Sequence, residues 1–305
     1  MAMNQGDYPD WAELPPELTS SILHRLGGIE ILENAQRVCT SWRRVCKDPS
    51  MWRKIDMSNP HRGDSCHHEL DKMCHHAVDR SQGALVEIEI WRVATYELLS
   101  YIADRSSNLR SLKLALCYQI ASEGLREILV KLPLLEVLET SYCALSAESV
   151  KVIGQSCPNL KSFGKNCEGY RRPRNECDDL ALAIAETMPG LTRLQLFGNR
   201  LTDVGLKAIL DGCPNLEYLD LRQCFNVNLV GDLEKRCSER IRVVRRPDDS
   251  THDYPFDATV HDMDSSEDDD YLYDISDEED DIAPADEFDD DLSGASDHSD
   301  LDHFD

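Results

Sequence analysis

The chain has 305 residues, enough for one large domain or two small ones, and a formal net charge of −26. Residues 248–305 contain 25 Asp and Glu and no Lys or Arg, which leaves −1 for the preceding 247 residues. A body without net positive charge argues against nucleic-acid binding through a basic face. No apolar stretch reaches the length of about 18 residues at which a membrane-spanning helix is expected.

The twelve cysteines do not predict a disulfide scaffold. The first residues show no basic region followed by an apolar run, so no secretory signal is expected. The cysteines are then most simply reduced, buried side chains of an intracellular protein. We expect the protein in the nucleus, the cytoplasm or both.

Residues 1–10 are polar and are predicted to be disordered, whereas residues 14–52 predict three short helices with one apolar seam. Pro15-Pro16 suits the start of the first helix and Gly27-Gly28 its end. The apolar pattern then continues through two further helical pieces, with a break near Asn34. The first helix is marked by apolar residues at the spacing that buries one face: Leu18, Ile22, Leu23 and Leu26.

This segment resembles an F-box. The residues that carry the resemblance are Leu14-Pro15, Glu17-Leu18, Ile22-Leu23, Leu26, Val38-Cys39-x-x-Trp42-Arg43 and Asp48-Pro49-x-x-Trp52. The resemblance implies an F-box over residues 11–57 that docks onto the Skp-type adaptor of a cullin ubiquitin ligase. The adaptor contacts that it implies are Leu14, Pro15, Leu18, Ile22, Leu23, Leu26 and Val38, with Trp42 as packing core.

Residues 58–82 predict a linker that contains a helix over residues 66–80, after an extended link over residues 54–62 with a turn at Asn59-Pro60. The helix carries Cys66-His67-His68 and Cys74-His75-His76, which invite comparison with a zinc site. However, no C-x-x-C pair exists here, and the four histidines point around the helix instead of converging. A solvated, His-rich face is therefore favoured, and we expect no metal or other cofactor.

From residue 83 to residue 246 the chain repeats itself. Aligned on the first leucine of each repeat, the intervals are 24, 26, 25, 31, 25 and 25 residues, from starts at Leu85, Leu109, Leu135, Leu160, Leu191, Leu216 and Ile241. The period and the L-x-x-L-x-L-x-x-N/C pattern are typical of leucine-rich repeats. They resemble the cysteine-containing type found behind F-boxes, with the N/C position at Cys117, Cys143, Asn199 and Cys224.

Each repeat predicts a strand followed by a helix, and neighbouring repeats are expected to stack into a curved solenoid. The helices are predicted over residues 97–104, 122–131, 147–155, 179–187 and 203–210. The fold class is therefore α/β, with a small helical F-box, a solenoid of about six repeats, and an acidic C-terminal tail. That tail, residues 247–305, has the composition of a disordered segment.

Side chains alternate along a strand, so the residues between the leucines are predicted to line the concave face. They are Glu87, Glu89, Trp91, Ser111, Lys113, Val137, Glu139, Ser162, Asn166, Arg193, Gln195, Phe197, Tyr218, Asp220 and Arg222. Aromatic and Arg side chains among mixed charges favour a protein-binding surface. We predict target contacts at Trp91, Lys113, Glu139, Arg193, Gln195, Phe197, Tyr218, Asp220 and Arg222. The sequence leaves open that the aromatics only cover neighbouring strands or loops.

The fourth repeat contains an insertion, residues 168–178, with three arginines in Arg171-Arg172-Pro173-Arg174. Arginine forks suit an acidic group such as a phosphorylated partner. The sequence equally allows a solvated loop tip or a contact with the protein's own acidic tail.

No phosphate-binding loop, G-x-S-x-G or H-E-x-x-H motif occurs, so we do not expect an enzyme. The resemblance implies a substrate-recognition subunit of an SCF-type (Skp–cullin–F-box) E3 ubiquitin ligase. Its partners would be a Skp-type adaptor, through it a cullin and a RING protein, and an unknown target. Two alternatives remain open, a non-ligase repeat scaffold and the binding of a basic protein by the acidic tail.

Overall fold

The computed structural model describes residues 11–58, 67–117, 124–172 and 174–262. The N-terminal part consists of α1 (Pro16–Leu23), a continuous helical run, α4 (Thr40–Cys46) and a 3-10 turn (Pro49–Trp52). The run comprises α2 (Gly28–Glu30), a π-helical turn (Ile31–Ala35) and α3 (Gln36–Val38). The three predicted helices are present. The predicted break at Asn34 is only a π-helical turn, and the backbone becomes extended at Cys39 instead.

The first helix is shorter than predicted. It begins at Pro16, where the missing N–H has no intrahelical partner to lose, and buries Thr19 and Leu23. It ends at Leu23, before Gly27-Gly28, and Gly28 begins the next helix. A Cβ atom on Gly28 would lie 3.1 Å from the carbonyl oxygen of Asp56. Glycine therefore serves a close approach between the bundle and the strand that follows it.

In the described residues, eight parallel strands form a single sheet in chain order, as expected of leucine-rich repeats. They are β1 (Lys54–Met57), β2 (Glu87–Trp91), β3 (Ser111–Ala115), β4 (Val137–Ser141), β5 (Ser162–Asn166), β7 (Arg193–Gln195), β8 (Tyr218–Asp220) and β9 (Val243–Arg245), while β6 (Tyr170–Arg172) lies in the insertion. In the fourth repeat Phe163 aligns with Leu138 and Leu194 and is fully buried. It takes the place of the missing leucine.

The first strand of the sheet comes directly after the helical bundle. Residues 54–57, predicted as an extended link, pair with β2 in the register Ile55↔Ile88 and Met57↔Ile90. Ile55 and Met57 are each only 1% exposed. The bundle and the repeats therefore share one sheet, and the sheet begins 29 residues before the first predicted repeat.

Helices connect the strands of the sheet. Five of them were predicted between the repeat strands, and the bounds of four agree with the prediction to within two residues. The helices are α5 (His67–Ser81), α6 (Tyr96–Arg105), α7 (Leu125–Val130), α8 (Ala147–Ser156), α9 (Asp179–Thr187), α10 (Asp203–Gly212) and α11 (Gly231–Arg240). Residues 122 and 123 of the helix predicted over residues 122–131 lie outside the described residues. Thr95 caps α6 by accepting a hydrogen bond from the N–H of Leu98 at 3.2 Å. No helix of the described residues is long and apolar enough to cross a membrane.

The chain turns back after β9. Residues 248–262, here called the return segment, lie against the sheet and end in β10 (His261–Asp262), which pairs with β6 in the insertion. The prediction of disorder from residue 247 is therefore wrong for these residues. Residues 1–10 and 263–305, the remainder of the predicted disordered ends, lie outside the described residues.

Candidate interaction surfaces

The N-terminal bundle leaves several large apolar side chains in solvent. The exposed fractions are 54% for Leu18, 36% for Leu26 and 59% for Val38, and Pro15 is also exposed. A single exposed leucine carries no information, but several in so small a bundle indicate a contact surface. Four of the predicted adaptor contacts are thus accessible to a partner.

The other predicted adaptor contacts differ in exposure. Leu14, Ile22 and Trp42 are half-buried. The indole nitrogen of Trp42 donates a hydrogen bond to the carbonyl oxygen of Trp11 at 3.1 Å, in keeping with a packing role. Leu23 is completely buried in the core of the bundle. Its prediction as an adaptor contact is wrong for this structure, because a fully buried side chain offers no surface to a partner.

On the concave face, β2, β3, β4 and β7 show the predicted alternation of half-buried and buried residues. Strand register places Lys113 opposite Glu139, and their charged groups lie 3.6 Å apart. The guanidinium group of Arg193 lies 3.6 Å from the ring centre of Tyr218 on the next strand. These side chains and Gln195 remain half-buried, so this part of the predicted target surface is open to solvent.

The rest of the predicted face is covered by the return segment. Tyr254 stacks on Phe197, with ring centres 3.8 Å apart and an interplanar angle of 1°, and Phe197 is only 1% exposed. Burial, and after it the neighbouring Tyr142 hydroxyl, raises the pKa of Tyr254. Phe197 is thus a binding residue, but it binds the protein's own chain.

The side chain of Phe256, in the return segment, packs between two aromatic side chains of the repeats. The ring centre of Phe256 lies 4.9 Å from that of Trp91 and 5.6 Å from that of Tyr142. A pocket of about 330 Å³ remains beside it, lined by Trp91, Leu116 and Tyr142 on the repeats and by Phe256 and His261 on the segment. The segment therefore closes over this end of the face without filling it.

An arginine anchors the base of the return segment. Arg222 forms a bidentate pair with Asp220, with Nη2 2.7 Å and Nε 3.0 Å from its carboxylate oxygens. The remaining nitrogen, Nη1, donates to Asp253 at 2.6 Å, and Arg245 donates to the same carboxylate at 2.9 Å. Asp220 and Arg222 are 1% and 3% exposed. Both were predicted as target contacts, and both are covered.

Further contacts come from residues that the sequence analysis missed. The Tyr142 hydroxyl donates to the carbonyl oxygen of Asp257 at 2.8 Å, and the Gln223 amide donates to that of Ala258 at 2.6 Å. Both residues have positive φ and directly precede a cysteine at the N/C position. That position in the repeat is the signal that could have identified them.

Known proteins resemble both parts of the chain. A family model described as F-box-like matches residues 11–58, and one described as Leucine Rich repeats (2 copies) matches residues 189–235. F-box protein SKIP19 of Arabidopsis thaliana is 60% identical over 310 residues, which cover 100% of this chain and 97% of that protein. The chain belongs to the F-box/leucine-rich-repeat proteins.

Two further similarities involve proteins that align less completely. Putative F-box/LRR-repeat protein 23 of Arabidopsis thaliana is 60% identical over 81% of this chain and 56% of its own length. Among solved structures, the Rad7 and Elc1 complex of yeast aligns with a TM-score of 0.44 at 15% identity, over 76% of this chain and 69% of that chain.

The arginine-rich insertion of this F-box/leucine-rich-repeat protein meets its own chain. Arg171 lies 3.9 Å from Asp248, and Arg172 lies 3.8 Å from Asp262. Main-chain pairing reinforces the contact, since the N–H of His261 donates to the carbonyl oxygen of Gly169 at 2.9 Å. Of the three hypotheses for this insertion, contact with the C-terminal acidic region is the one that the described residues support.

Most cysteines of the repeats are buried, whereas Cys167 is half-buried and Cys177 is exposed. The three at the N/C position, Cys117, Cys143 and Cys224, are buried, and so are Cys157 and Cys213. Burial raises the pKa of Cys157 to about 12 and that of Cys213 to about 11. Cys143 differs, because a hydrogen bond from the Cys117 thiol and then the charge of Lys165 lower its pKa. Its 3% exposure nevertheless shields it from solvent.

The helix with the metal-like residues shows structural roles for two of them. Cys74 is fully buried, and burial raises its pKa to about 12. His75 lies 3.5 Å from Asp71 and packs against the ring of Tyr101. Among the described residues, no three potential ligands converge on one point. Cys66 lies outside them.

Docking of the return segment is expected to depend on pH through Asp253. A hydrogen bond from Arg245 and then the charge of Arg222 hold the pKa of Asp253 well below its usual range. A lowered carboxyl pKa stabilises the fold above the unfolded value of about 3.9, and this stabilisation is lost as the pH falls below it. The stability advantage of wild type over Asp253→Asn should be constant from about pH 5 to 8 and shrink below about pH 4. Urea unfolding of both proteins measures it, and an advantage that grows toward acid would contradict the ion pair.

Proposed function

We propose that this protein is the substrate-recognition subunit of an SCF-type ubiquitin ligase. The F-box binds a Skp-type adaptor and through it a cullin and a RING protein, while the repeats bind a target protein. The main support is the exposure of Leu18, Leu26 and Val38 in a segment that matches an F-box-like model. Apolar side chains left in water at the surface of a small bundle favour a partner that covers them.

On this proposal the protein contributes position and selection, and no chemistry of its own. A ligase subunit that holds a target near an activated enzyme raises the effective concentration of the target's lysines. Such action requires a firm connection between the adaptor site and the target site. The pairing of β1 with β2 supplies one, because it joins the F-box to the repeats through main-chain hydrogen bonds.

The proposal is tested by titrating a purified Skp-type adaptor against wild type, Leu18→Asp and Leu182→Asp. Leu182 is a matched control, since it is 47% exposed on α9 and Leu18 is 54% exposed on α1. Aspartate in the first turn of a helix is tolerated by the fold. We expect Leu18→Asp to weaken adaptor binding by about 100-fold or more, because the complex would bury an unpaired charge. Leu182→Asp should bind like wild type.

Two outcomes would contradict the proposal. If wild type does not bind the adaptor, the ligase function is wrong, and a repeat scaffold without a ligase role replaces it. If both aspartate variants lose binding equally, the effect is a general one of added charge, and the F-box surface is not the contact.

A further inference from the structure

The return segment is held in the manner of a bound peptide. It pairs with another strand only through the two residues of β10. Its further contacts include one acidic side chain on two arginines, two inserted aromatic rings, and carbonyl oxygens that accept hydrogen bonds from Tyr142 and Gln223. Asp253, Pro255 and Asp257 remain exposed beside the inserted rings. The segment thus lies on the repeats and is not part of their core.

The surface beneath the segment is formed by the repeats themselves. Trp91, Tyr142 and Phe197 belong to three separate repeats whose strands pair without help from the segment. The key cation is also positioned independently, because Asp220 holds Arg222 through two of its nitrogens and leaves Nη1 for a further anion. A site with its cation already oriented loses little entropy on binding an acidic group.

We propose that this surface binds an extended segment of a target protein whose residues follow the order acidic, aromatic, proline, aromatic, acidic. Residues 253–257, Asp-Tyr-Pro-Phe-Asp, occupy it as an internal copy of that segment. The inference rests on the proposed function, from which it takes the target as partner. It adds the chemistry of recognition: a carboxylate between Arg222 and Arg245, one ring on Phe197, and a second ring between Trp91 and Tyr142.

The unfilled space next to Phe256 agrees with a surface made for more than the internal copy. The pocket of about 330 Å³ beside this ring has room for a larger side chain or an additional residue of a target. Only a few residues separate β9 from Asp253, so the tethered copy is present at high effective concentration. A target displaces it only with further contacts, for which Lys113, Arg193 and Tyr218 on the open part of the face are available.

The test uses the full chain with its own segment disabled and the same segment supplied as a free peptide. The variant carries Asp253→Ser, Tyr254→Ser and Phe256→Ser, none of which alters the repeats or the Asp220–Arg222 pair. The probe is a fluorescent peptide of residues 249–262, followed by anisotropy. We expect the triple variant to bind the peptide at least about tenfold more tightly than wild type, because wild type is already occupied in cis. A peptide with Asp253→Lys should bind neither protein, and adding Arg245→Glu to the triple variant should weaken binding.

The outcomes separate this inference from the proposed function. If the folded triple variant binds no peptide, or binds it no better than wild type does, the surface is not a peptide site and the inference is overturned. If the triple variant does not fold, the single variant Phe256→Ala is tested in the same way. The adaptor titration is run on the same proteins. Normal adaptor binding without peptide binding would overturn only this inference. Peptide binding without adaptor binding would overturn only the ligase function.

Discussion

The Arg222→Met variant is expected to lose about 3–5 kcal/mol of its free energy of unfolding, because it leaves Asp220 as a buried charge without its cation. Asp220 is 1% exposed and faces three nitrogen–oxygen contacts of 3.1 Å or less from the Arg222 side chain. The methionine keeps the unbranched stem of arginine, so packing changes little. Urea unfolding followed by circular dichroism measures the loss.

A second substitution tests the cause of that loss. Adding Asp220→Asn to Arg222→Met removes the stranded charge, and we expect about half or more of the lost stability to return. Arg245→Met serves as the control, because Arg245 also binds Asp253 but is not paired with Asp220 in the core. If the double variant is less stable than Arg222→Met alone, the buried charge is not the reason for the loss.

The Trp52→Ala variant is expected to lose about 3–5 kcal/mol, since it removes the largest fully buried side chain of the chain's described part. Trp52 is 1% exposed, and its indole nitrogen donates to the carbonyl oxygen of Cys46 at 2.9 Å. The guanidinium group of Arg80 lies 5.5 Å from its ring centre. The side chain therefore joins the end of the F-box to α5, and its loss should loosen both.

Trp11→Ala is the matched control for this prediction. Trp11 is 57% exposed, and the hydrogen bond that it accepts from the Trp42 indole uses the main-chain oxygen, which alanine retains. A surface change of this kind should alter stability by about 0.5 kcal/mol or less. Chemical unfolding of both variants gives the comparison. Equal losses would show that Trp52 does not hold the F-box and α5 together.

The repeat architecture could be predicted because its signal is long-range and redundant. Leucines recur at intervals of about 25 residues in most repeats, and neighbours such as Leu112 and Leu138 pack side by side in the sheet. Loss of one leucine, as at Phe163, does not hide the period. β1 was missed for the opposite reason: its four residues, KIDM, precede a linker and lack the repeat's surrounding pattern. Only pairing with β2 reveals it as a strand.

The covering of the concave face by the return segment could not be predicted, because the acidic composition was taken over the whole C-terminal region. Residues 248–262 contain 5 acidic residues among 15, whereas residues 263–305 contain 20 among 43. The first group also holds Tyr254 and Phe256, whose burial offsets the entropy of ordering. Their partners, Phe197 and Trp91, were identified from the strand pattern. The repeat pattern could not show that the residues covering Phe197 and Trp91 come from the same chain, because a contact of this kind does not follow from periodicity.

Because the F-box and the repeats share one sheet, the number of repeats sets the distance from the F-box to the last strand. Parallel strands lie about 4.7–4.9 Å apart, so the seven steps from β1 to β9 span roughly 34 Å along the sheet. Because β1 comes directly from the F-box, this distance is counted from the domain that carries the proposed adaptor site and not from a free end. A protein of this design with one more repeat would carry its last strand about 5 Å farther out. Duplication or loss of a repeat would thus change reach in equal increments while leaving the F-box unchanged.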